Sequence, residues 1–362
     1  MCEPSAFPSF AFSVRHHAGT YPVFFADAVL SQIAPLISAL GDYDRIFLVT
    51  DSHVGALYAD TVTQALRLPA QAVYTFPAGE TSKTLATVTE MLFAFQKASL
   101  TRHSLVLALG GGVCGDLCGF ATAIYLRGID YVQIPTSLLA MVDAAIGGKT
   151  GADLPFGKNL IGAFHQPRAV IADPAVLATL PEREFRSGMA EVIKTACIAD
   201  ESFFTDICNH SLPPADLILR CMQIKARFVE EDPKEHGKRI LLNFGHTFGH
   251  ALESAQAYCG YTHGEAVGVG MLLAAETGIA CGVTPPAVSQ SIRQALVSYG
   301  LPVTVLLSAD ALLSYISADK KREGSLIRLV FLTRIGEAVA YPVSLCALSG
   351  LLRANPMLRQ NE

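Results

Sequence analysis

The sequence predicts an α/β domain with a parallel sheet, followed by a mostly α-helical domain. In the first half of the chain, short apolar runs alternate with longer stretches of helical periodicity, which is typical of parallel strands covered by helices on both faces. From Pro181 onward, long segments of helical periodicity follow one another with few strand candidates. We therefore expect a first domain over residues 1–180 and a second over residues 181–362.

Individual elements follow from the same periodicities. The predicted strands of the first half are Tyr21–Ala26, Arg45–Thr50, Gln71–Phe76, Ser104–Leu109 and Asp130–Ile134. The helices predicted between them are Ala28–Leu40, Val54–Leu66 and Leu85–Ala98. The helices predicted for the second half are Glu182–Cys197, Ala215–Val229, Leu241–Ala257 and Glu265–Ala280. Prolines at 174 and 181 place the domain boundary between these two groups.

Composition excludes several classes of protein. Of the 362 residues 51% are apolar and 16% charged, which excludes a disordered chain. The 27 Lys and Arg residues and 32 Asp and Glu residues leave a net charge of −5. This balance argues against non-specific binding to nucleic acid or to an anionic membrane. It does not exclude a local basic pocket for a small anion.

The sequence also predicts a soluble, cytoplasmic protein. The most apolar stretch, Ala266–Val283, contains Glu276 and several glycines, whereas a membrane span needs about 20 predominantly apolar residues. No basic segment precedes an apolar run at the N-terminus, so no signal peptide is expected. The nine cysteines are scattered, and Cys114 and Cys118 lack the spacing of a C-x-x-C pair, which favours free thiols in a reducing compartment.

A glycine-rich turn follows the predicted strand Ser104–Leu109. Gly110, Gly112 and Gly115 fit the pattern G-x-G-x-x-G between a strand and a helix, where backbone N–H groups can approach a pyrophosphate. An acidic residue is expected about 20 residues later, but here it follows at once. Asp51, which ends another strand, is an alternative partner for a ribose hydroxyl. The competing interpretation is a tight turn that packs a helix on a strand.

Histidines in the second half indicate a metal site. His246 and His250 lie four residues apart on one predicted helical face, Asn243 lies three before His246 on that face, and His263 follows a glycine-containing break. Histidines and a carboxylate can together form a catalytic zinc site. Thr247 excludes an H-E-x-x-H motif. A structural histidine pair remains the alternative, and the spacing does not decide which of five residues are ligands: His246, His250, His263, Glu253 and Glu191.

Basic residues beside flexible backbone indicate binding of anions. Gly148-Lys149-Thr150 matches part of a P-loop, although Asp143 stands where the first glycine belongs. A second loop, Ala78-Gly79-Glu80 with Lys83, is a weak signal taken alone. The other candidate cations are Arg127, Lys158, Lys194, Lys225, Arg239, Lys320 and Lys321. A single surface lysine is usually only solvated, but the whole set beside nucleotide and metal signals predicts a polyanionic substrate.

These motifs, in this order, resemble those of the 3-dehydroquinate synthase family of sugar phosphate cyclases. The resemblance runs from about residue 51 to residue 321. It rests on the following segments: Gly110–Asp116 with Gly119-Phe120, Pro135–Ala140, Val142-Asp143, Gly147–Thr150, Lys158-Asn159 with Gly162, Ala190–Lys194, Leu242-Asn243, Gly245–Thr247, Gly249-His250 and His263–Glu265.

The resemblance implies a fold and an activity. The fold is an N-terminal NAD-binding domain and a C-terminal helical metal-binding domain, with the active site in the cleft between. The implied enzyme is a lyase of the shikimate pathway that uses NAD and a divalent metal (zinc or cobalt). It converts 3-deoxy-D-arabino-heptulosonate 7-phosphate into 3-dehydroquinate and phosphate. Transient oxidation, phosphate elimination, re-reduction and an intramolecular aldol closure are the implied steps.

The resemblance also implies roles for individual residues. The metal ligands are Glu191, His246 and His263, and His250 transfers a proton near the leaving phosphate. The NAD contacts are Asp51, Glu80, Lys83, Gly111, Gly112, Val113, Gly115, Asp116, Thr136, Ser137, Lys149, Lys158 and Thr179. The catalytic and substrate-binding residues are Asp143, Lys149, Asn159, Lys194, Lys225, Arg239, Asn243 and Lys320. Arg127 reaches the phosphate in a neighbouring subunit, which implies a homodimer.

The sequence departs from the family pattern at a few positions. Ser137 stands where a second threonine is common, and Ala144-Ala145 stands where two serines are common. The first change keeps the hydroxyl, whereas the second removes two hydroxyls near the cofactor. Which of Lys320 and Lys321 faces the substrate is not decided by the sequence.

Three rival functions are weighed against this one. A sister cyclase would act on sedoheptulose 7-phosphate, which lacks the carboxylate that Lys225, Arg239 and Lys320 suit. A metal-dependent polyol or alcohol dehydrogenase also has a triple-glycine turn, but it does not need so many cations for an uncharged substrate. A catalytically inactive homologue is disfavoured because all four residues of the metal region are retained: Glu191, His246, His250 and His263.

Overall fold

The computed structural model describes residue 3 and residues 6–154, 157–256, 260–305, 307–320 and 326–358, with the side chains of residues 318–320 outside the description. The chain divides into two compact units. The first is Met1–Leu180 with Lys225–Lys234, and the second is Pro181–Ile224 with Glu235–Glu362.

The first unit is built on a mostly parallel sheet. Its strands are β1 (Phe10–His16), β2 (Gly19–Phe25), β3 (Ile46–Asp51), β4 (Val73–Phe76), β5 (Leu105–Gly110), β6 (Asp130–Pro135), β7 (Lys149–Leu154), β8 (Gly157–Phe164) and β9 (Ala169–Ala172). Over the described residues, seven of them form one sheet in the order β1-β2-β9-β6-β5-β3-β4. Every neighbouring pair is parallel except β1 and β2. Strands β7 and β8 form a separate antiparallel hairpin.

Helices accompany this sheet. They are α1 (Ile33–Leu40), α2 (Ser52–Val54), α3 (Asp60–Leu66), α4 (Leu85–Lys97) and α5 (Gly112–Ile124), with a π-helical turn Gly55–Ala59 joining α2 to α3. All six residues of β5 are buried, as expected for a strand with covered faces. Phe47, Phe95, Leu117 and Tyr131 belong to one apolar cluster between sheet and helices.

The second unit is mostly helical. Its helices are α6 (Glu182–Ala199), α7 (Glu201–Cys208), α8 (Pro214–Glu231), α9 (His246–Ala255), α10 (His263–Ala280), α11 (Pro286–Ser298), α12 (Ala309–Lys320) and α13 (Leu345–Ala354). The last residues of α8 are counted with the first unit. An antiparallel hairpin, β10 (Leu326–Arg334) and β11 (Glu337–Ser344), precedes α13.

Helix α10 is the centre of the second unit. Most of its residues are buried, and it packs against α6, α9 and α11. A helix that is apolar all round is a buried helix, which agrees with the interpretation of Ala266–Val283 as a core element. Within the described residues, no helix is both long enough and apolar enough to cross a bilayer. The predicted fold class, an α/β domain with a parallel sheet followed by a mostly helical domain, is confirmed.

One predicted element is wrong. Leu241–Ala257 is not a single helix, because a 3-10 segment (Lys238–Asn243) ends before α9 begins at His246. Gly245, between them, has φ +79°, and a Cβ there would lie 2.8 Å from the backbone of α10. The close approach to α10 thus breaks the helix at a glycine. Consequently Asn243 does not share a helical face with His246.

Two helical glycines give a test of the packing. A Cβ on Gly119 in α5 would overlap Thr150 and lie 3.1 Å from the Tyr131 hydroxyl, whereas a Cβ on Gly350 in α13 would meet nothing within 4 Å. We expect Gly119→Ala to lower the free energy of unfolding by about 1–3 kcal/mol. We expect Gly350→Ala to raise it by about 0.5–1 kcal/mol, since alanine stabilises a helix interior. Urea unfolding measures both, and stabilisation by Gly119→Ala would contradict the described packing.

Candidate functional site

The first candidate site lies at the carboxyl ends of β3 and β5. From β3 the chain runs to β4 on one side, and it then returns to β5 on the other side. The order of strands therefore reverses between β3 and β5, whose last residues are Asp51 and Gly110. In open parallel sheets, ligands bind in the crevice at such a switch point.

The glycines of the turn after β5 serve two purposes. A Cβ on Gly110 or Gly115 would lie 2.5–2.6 Å from a neighbouring side chain, so these two glycines are needed for packing of α5 on the sheet. A Cβ on Gly111 or Gly112 would lie 3.5–3.6 Å from the nearest atom, so packing does not require glycine there. Helix α5 begins at Gly112 without a side-chain cap, and such a helix start suits an anionic group.

Polar groups surround this turn. Asp51 Oδ1 accepts hydrogen bonds from the N–H groups of His53 and Val54, at 2.9 and 3.0 Å, and so caps the following helix. Its other oxygen lies near Gly110. The N–H of Thr136 donates to Gly110 O at 3.0 Å, and Ser137 Oγ accepts from Ala140 N at 3.3 Å. The structure thus brings Asp51, Thr136 and Ser137 to the glycine turn.

A charge network around the buried Lys83 joins other residues that the sequence predicts for NAD. Lys83, 6% exposed, lies 2.6 Å from Asp116 Oδ2 and 2.6 Å from Asn159 Oδ1. Lys158 pairs with Glu80 at 2.8 Å. Burial disfavours the charged form of Lys83, but the carboxylates of Asp116 and Glu80 outweigh it, and the pKa of Lys83 is raised. Burial also raises the pKa of Asp116, although the Lys83 ammonium opposes this effect.

Asp143 and Lys225 form a second pair in the first unit. Lys225 Nζ lies 2.6 Å from Asp143 Oδ1 and also contacts the main-chain oxygen of Asp143. Asp143 belongs to a single π-helical turn, Ala140–Ala144, and such turns are frequent at functional sites. Since only 7% of Lys225 is exposed, this cation is part of the interior and not of a solvated face.

Three further predicted residues of the first unit lie on other elements. Lys149 is exposed at the start of β7. Thr179 Oγ1 is 2.6 Å from the Tyr58 hydroxyl, at the end of a 3-10 segment. Arg127 is exposed in a tight turn with φ +70°.

The second candidate site lies among α6, α9 and α10 of the second unit. Glu191 of α6 is fully buried, and His246 and His263 are the first residues of α9 and α10. One ligand atom from each of these three residues lies within 4.8 Å of the other two. Gly264 makes this convergence possible, because a Cβ there would overlap the backbone of Ser187 on α6.

The distances among these groups fit a metal better than hydrogen bonds. Glu191 Oε1 lies 3.6 Å from His246 Nε2 and 3.8 Å from His263 Nε2, beyond the usual limit of a hydrogen bond. Ligands at about 2.0–2.2 Å from a tetrahedral zinc are themselves about 3.3–3.6 Å apart. Glu191 Oε1 is buried with no hydrogen-bond partner among the described residues, which is costly for a carboxylate oxygen.

Both imidazoles are held through their other nitrogen. His246 Nδ1 lies 3.3 Å from Phe244 O, and His263 Nδ1 lies 3.2 Å from Glu253 Oε2. Each contact places the N–H on Nδ1 and leaves Nε2 facing Glu191, as in many metal sites. A second trio, His250, Glu253 and His263, also has its ligand atoms within 4.8 Å.

Further predicted residues adjoin the metal candidates. The ring of His250 is centred 5.4 Å from that of His246. Lys194, one turn after Glu191 on α6, forms an ion pair with its carboxylate, and both side chains are 1% exposed. Arg239 is also 1% exposed. Lys320 ends α12, but its side chain and all of Lys321 lie outside the described residues.

Glu235 is a polar neighbour that the sequence pattern does not single out. Its Oε1 accepts a hydrogen bond of 2.6 Å from Asn243 Nδ2. It lies in an irregular segment between α8 and the 3-10 turn, where charged residues follow one another. Periodicity carries no information in such a segment, so only the Asp232–Gly237 charge run marks it.

The sequence is similar to known 3-dehydroquinate synthases over most of its length. The family model of the 3-dehydroquinate synthase N-terminal domain matches residues 73–187, and the family model of the C-terminal domain matches residues 188–322. A 3-dehydroquinate synthase of Synechocystis sp. is 44% identical over 88% of this chain and 92% of its own length. That of Caulobacter vibrioides is 42% identical over 92% and 95%.

Solved structures show the same fold. A 2-deoxy-scyllo-inosose synthase, complexed with carbaglucose-6-phosphate, NAD+ and Co2+, has a TM-score of 0.84 at 26% identity and covers 95% of this chain and 99% of its own. The 2-epi-5-epi-valiolone synthase of Streptomyces hygroscopicus subsp. jinggangensis, with NAD+ and Zn2+ bound, has a TM-score of 0.82 at 28% identity, with 97% and 99% covered. A probable glycerol dehydrogenase of Sinorhizobium meliloti, at 14% identity and TM-score 0.67, with 94% and 97% covered, shares the fold.

The ion pair of Lys83 and Asp116 gives a test of the charge network. Lys83→Met leaves the partly buried Asp116 carboxylate without its ammonium, and we expect a loss of about 1–3 kcal/mol in the free energy of unfolding. The double variant Lys83→Met/Asp116→Leu removes both charges and should recover much of this loss. The exposed Lys97 of α4 provides the control, since Lys97→Met should change stability by less than about 0.5 kcal/mol. Equal losses in the single and double variants, measured by urea unfolding, would contradict the pairing.

Proposed function

Since the chain belongs to the 3-dehydroquinate synthase family, we propose that it converts 3-deoxy-D-arabino-heptulosonate 7-phosphate into 3-dehydroquinate and phosphate, as a lyase. The observation that carries this proposal in the structure is the buried Glu191 carboxylate facing the Nε2 atoms of His246 and His263. The glycine turn at the switch point of the sheet supports an accompanying nucleotide.

We assign the metal to Glu191, His246 and His263, and NAD to the crevice of the first unit. A divalent metal supplies Lewis-acid polarisation of a substrate oxygen, and NAD supplies a reversible hydride acceptor. Gly111 and Gly112 leave room for close approach of a pyrophosphate to the start of α5. Asp51 lies where a ribose hydroxyl can be bound, and Lys83 pairs with Asp116, which follows Gly115 in the first turns of α5.

Cations and one imidazole complete the proposed chemistry. Lys194 and Arg239 of the second unit and Lys225 of the first are almost fully buried, so they are suited to bind anionic groups of a substrate. A guanidinium binds a carboxylate in a planar, bidentate manner, and we assign this role to Arg239. His250 lies beside the metal candidates, and we assign to it the proton transfer that accompanies loss of phosphate.

A sister cyclase is the second candidate. Its support is the TM-score of 0.84 to the 2-deoxy-scyllo-inosose synthase that is complexed with NAD+ and Co2+. Sequence identity argues against a sister cyclase. The 2-deoxy-scyllo-inosose synthase is 26% identical to this chain, whereas the 3-dehydroquinate synthases reach 40–46% identity. The buried Arg239 also favours a substrate with a carboxylate.

A substrate comparison tests the proposed function. We expect the full chain with NAD+ and Zn2+ or Co2+ to release phosphate from 3-deoxy-D-arabino-heptulosonate 7-phosphate. A chelator should stop the release, and added metal should restore it, because Glu191 and the two imidazoles hold the ion reversibly. Phosphate release is followed colorimetrically, with NAD+ omitted as a control. Release only from sedoheptulose 7-phosphate would overturn the assignment in favour of a sister cyclase.

We also propose a homodimer in which Arg127 reaches the substrate phosphate of the neighbouring subunit. The side chain of Arg127 is exposed on the turn Tyr125–Gly128, so a second copy can be reached. The cytoplasmic location remains a prediction of the sequence.

Mixed dimers test the role of Arg127. We expect Arg127→Ala and Glu191→Gln each to be nearly inactive alone. After both variants are unfolded together and refolded, about one quarter of wild-type activity is the upper limit, because half of the dimers are mixed and one of their two sites is intact. Phosphate release by the mixture measures this. A mixture no more active than the separate variants would contradict action across an interface.

A further inference from the structure

Glu253 is a buried carboxylate that the sequence offers as one of five candidate metal ligands, but to which the proposed reaction gives no role. It lies on α9 and is 2% exposed. Its Oε2 lies 3.2 Å from His263 Nδ1, the nitrogen opposite the one that faces Glu191. Burial of a carboxylate is costly unless hydrogen bonds or opposite charges compensate, and a contact to a proposed metal ligand points to a function for this one.

The two imidazoles of the proposed metal site are supported differently. His246 Nδ1 lies against a main-chain oxygen, that of Phe244, which no side-chain substitution removes. His263 Nδ1 instead lies against the Glu253 side chain. His263 is also the more exposed of the two, at 29% of its side chain against 12%. The orientation of the His263 ring therefore depends on the Glu253 side chain more than that of the His246 ring depends on any side chain.

Geometry distinguishes a hydrogen bond from a second metal site at Glu253. His250, Glu253 and His263 also have ligand atoms within 4.8 Å, so a metal among these three is the competing interpretation. The separation of 3.2 Å between Nδ1 and Oε2 is that of a hydrogen bond. The separations of 3.6 and 3.8 Å at Glu191 are too long for hydrogen bonds.

We propose that Glu253 is a positioning residue of the metal site: it accepts the Nδ1–H of His263, fixes the tautomer and the ring plane, and thereby presents Nε2 to the metal. The inference rests on the metal site proposed above. Carboxylates that hold a ligand histidine in this way raise its basicity, and their loss typically lowers metal affinity about 10–100-fold. Glu253 itself does not touch the metal.

Zinc affinity of the full chain, measured by competition with a chromophoric chelator, tests this role. We expect Glu253→Ala to weaken Zn2+ binding about 10–100-fold. Glu253→Gln has the same length and can still accept the Nδ1–H through its amide oxygen, so its loss should be smaller. The matched control is Glu276→Gln on α10, whose carboxylate bonds Ser289 and which should bind Zn2+ like the wild type.

Two further readouts separate positioning from a purely structural role. Thermal unfolding of the metal-free variants shows whether the substitutions destabilise the fold. If Glu253→Ala does not fold, Glu253→Gln still tests the role, because its side chain has the same size and shape as that of glutamate. Nitrogen-15 NMR of the zinc-loaded wild type should show His263 with a proton on Nδ1 and none on Nε2. In Glu253→Gln the Nδ1 proton should exchange faster, because its hydrogen bond is weaker.

Several outcomes would overturn the inference. Wild-type affinity in both Glu253 variants, or a protonated Nε2 of His263 in the zinc-loaded protein, excludes the positioning role. Binding of two zinc ions by the wild type and one by Glu253→Ala establishes Glu253 as a ligand instead. If the wild-type chain binds no zinc, the proposed metal site itself is wrong. This result differs from a failure of the Glu253 role, because it is seen in the wild type before any variant is made.

Discussion

Burial of the Glu191 carboxylate is the constraint on which the second unit depends. An ionised carboxylate without exposure to water needs opposite charge nearby, and α6 supplies one such charge from Lys194, a single turn away. The remaining oxygen faces two imidazole nitrogens at distances that suit a metal. The first residues of α9 and α10 are therefore held against α6, and Gly264 provides the room for this approach.

The first unit meets a different requirement, which is an open crevice at the edge of a packed sheet. Reversal of the strand order between β3 and β5 creates the crevice, and Gly110 and Gly115 allow α5 to pack closely beside it. Lys83 and Asp116 of α5 form an ion pair, in which each charge offsets the cost of burying the other. Lys83 in the first unit and Glu191 and Lys194 in the second are thus buried charges that depend on oppositely charged neighbours.

Sequence patterns predict the parts of this molecule that depend on local periodicity. The central strands and long helices were expected within a few residues of their observed bounds, because apolar periodicity reports directly on burial. The edge strand β1 and strand β8 are not predicted, because most of their residues are partly buried or exposed, and β9 is not predicted because it has only four residues. The hairpin of β10 and β11 is also not predicted, although five residues of β10 are buried. The break at Gly245 depends on contact with α10, and so no local pattern reveals it. Likewise, spacing alone left the metal ligands undecided, since Glu191 joins the histidines only through the packing of α6.

Anomalous X-ray diffraction from crystals of the zinc-loaded protein tests the central claim most directly. Data on both sides of the zinc absorption edge locate the ion without assumptions about its ligands. We expect one strong peak per chain, about 2.0–2.2 Å from Glu191 Oε1 and from the Nε2 atoms of His246 and His263, with Glu253 outside bonding distance. A peak among His250, Glu253 and His263, or no peak beside Glu191, would contradict this expectation.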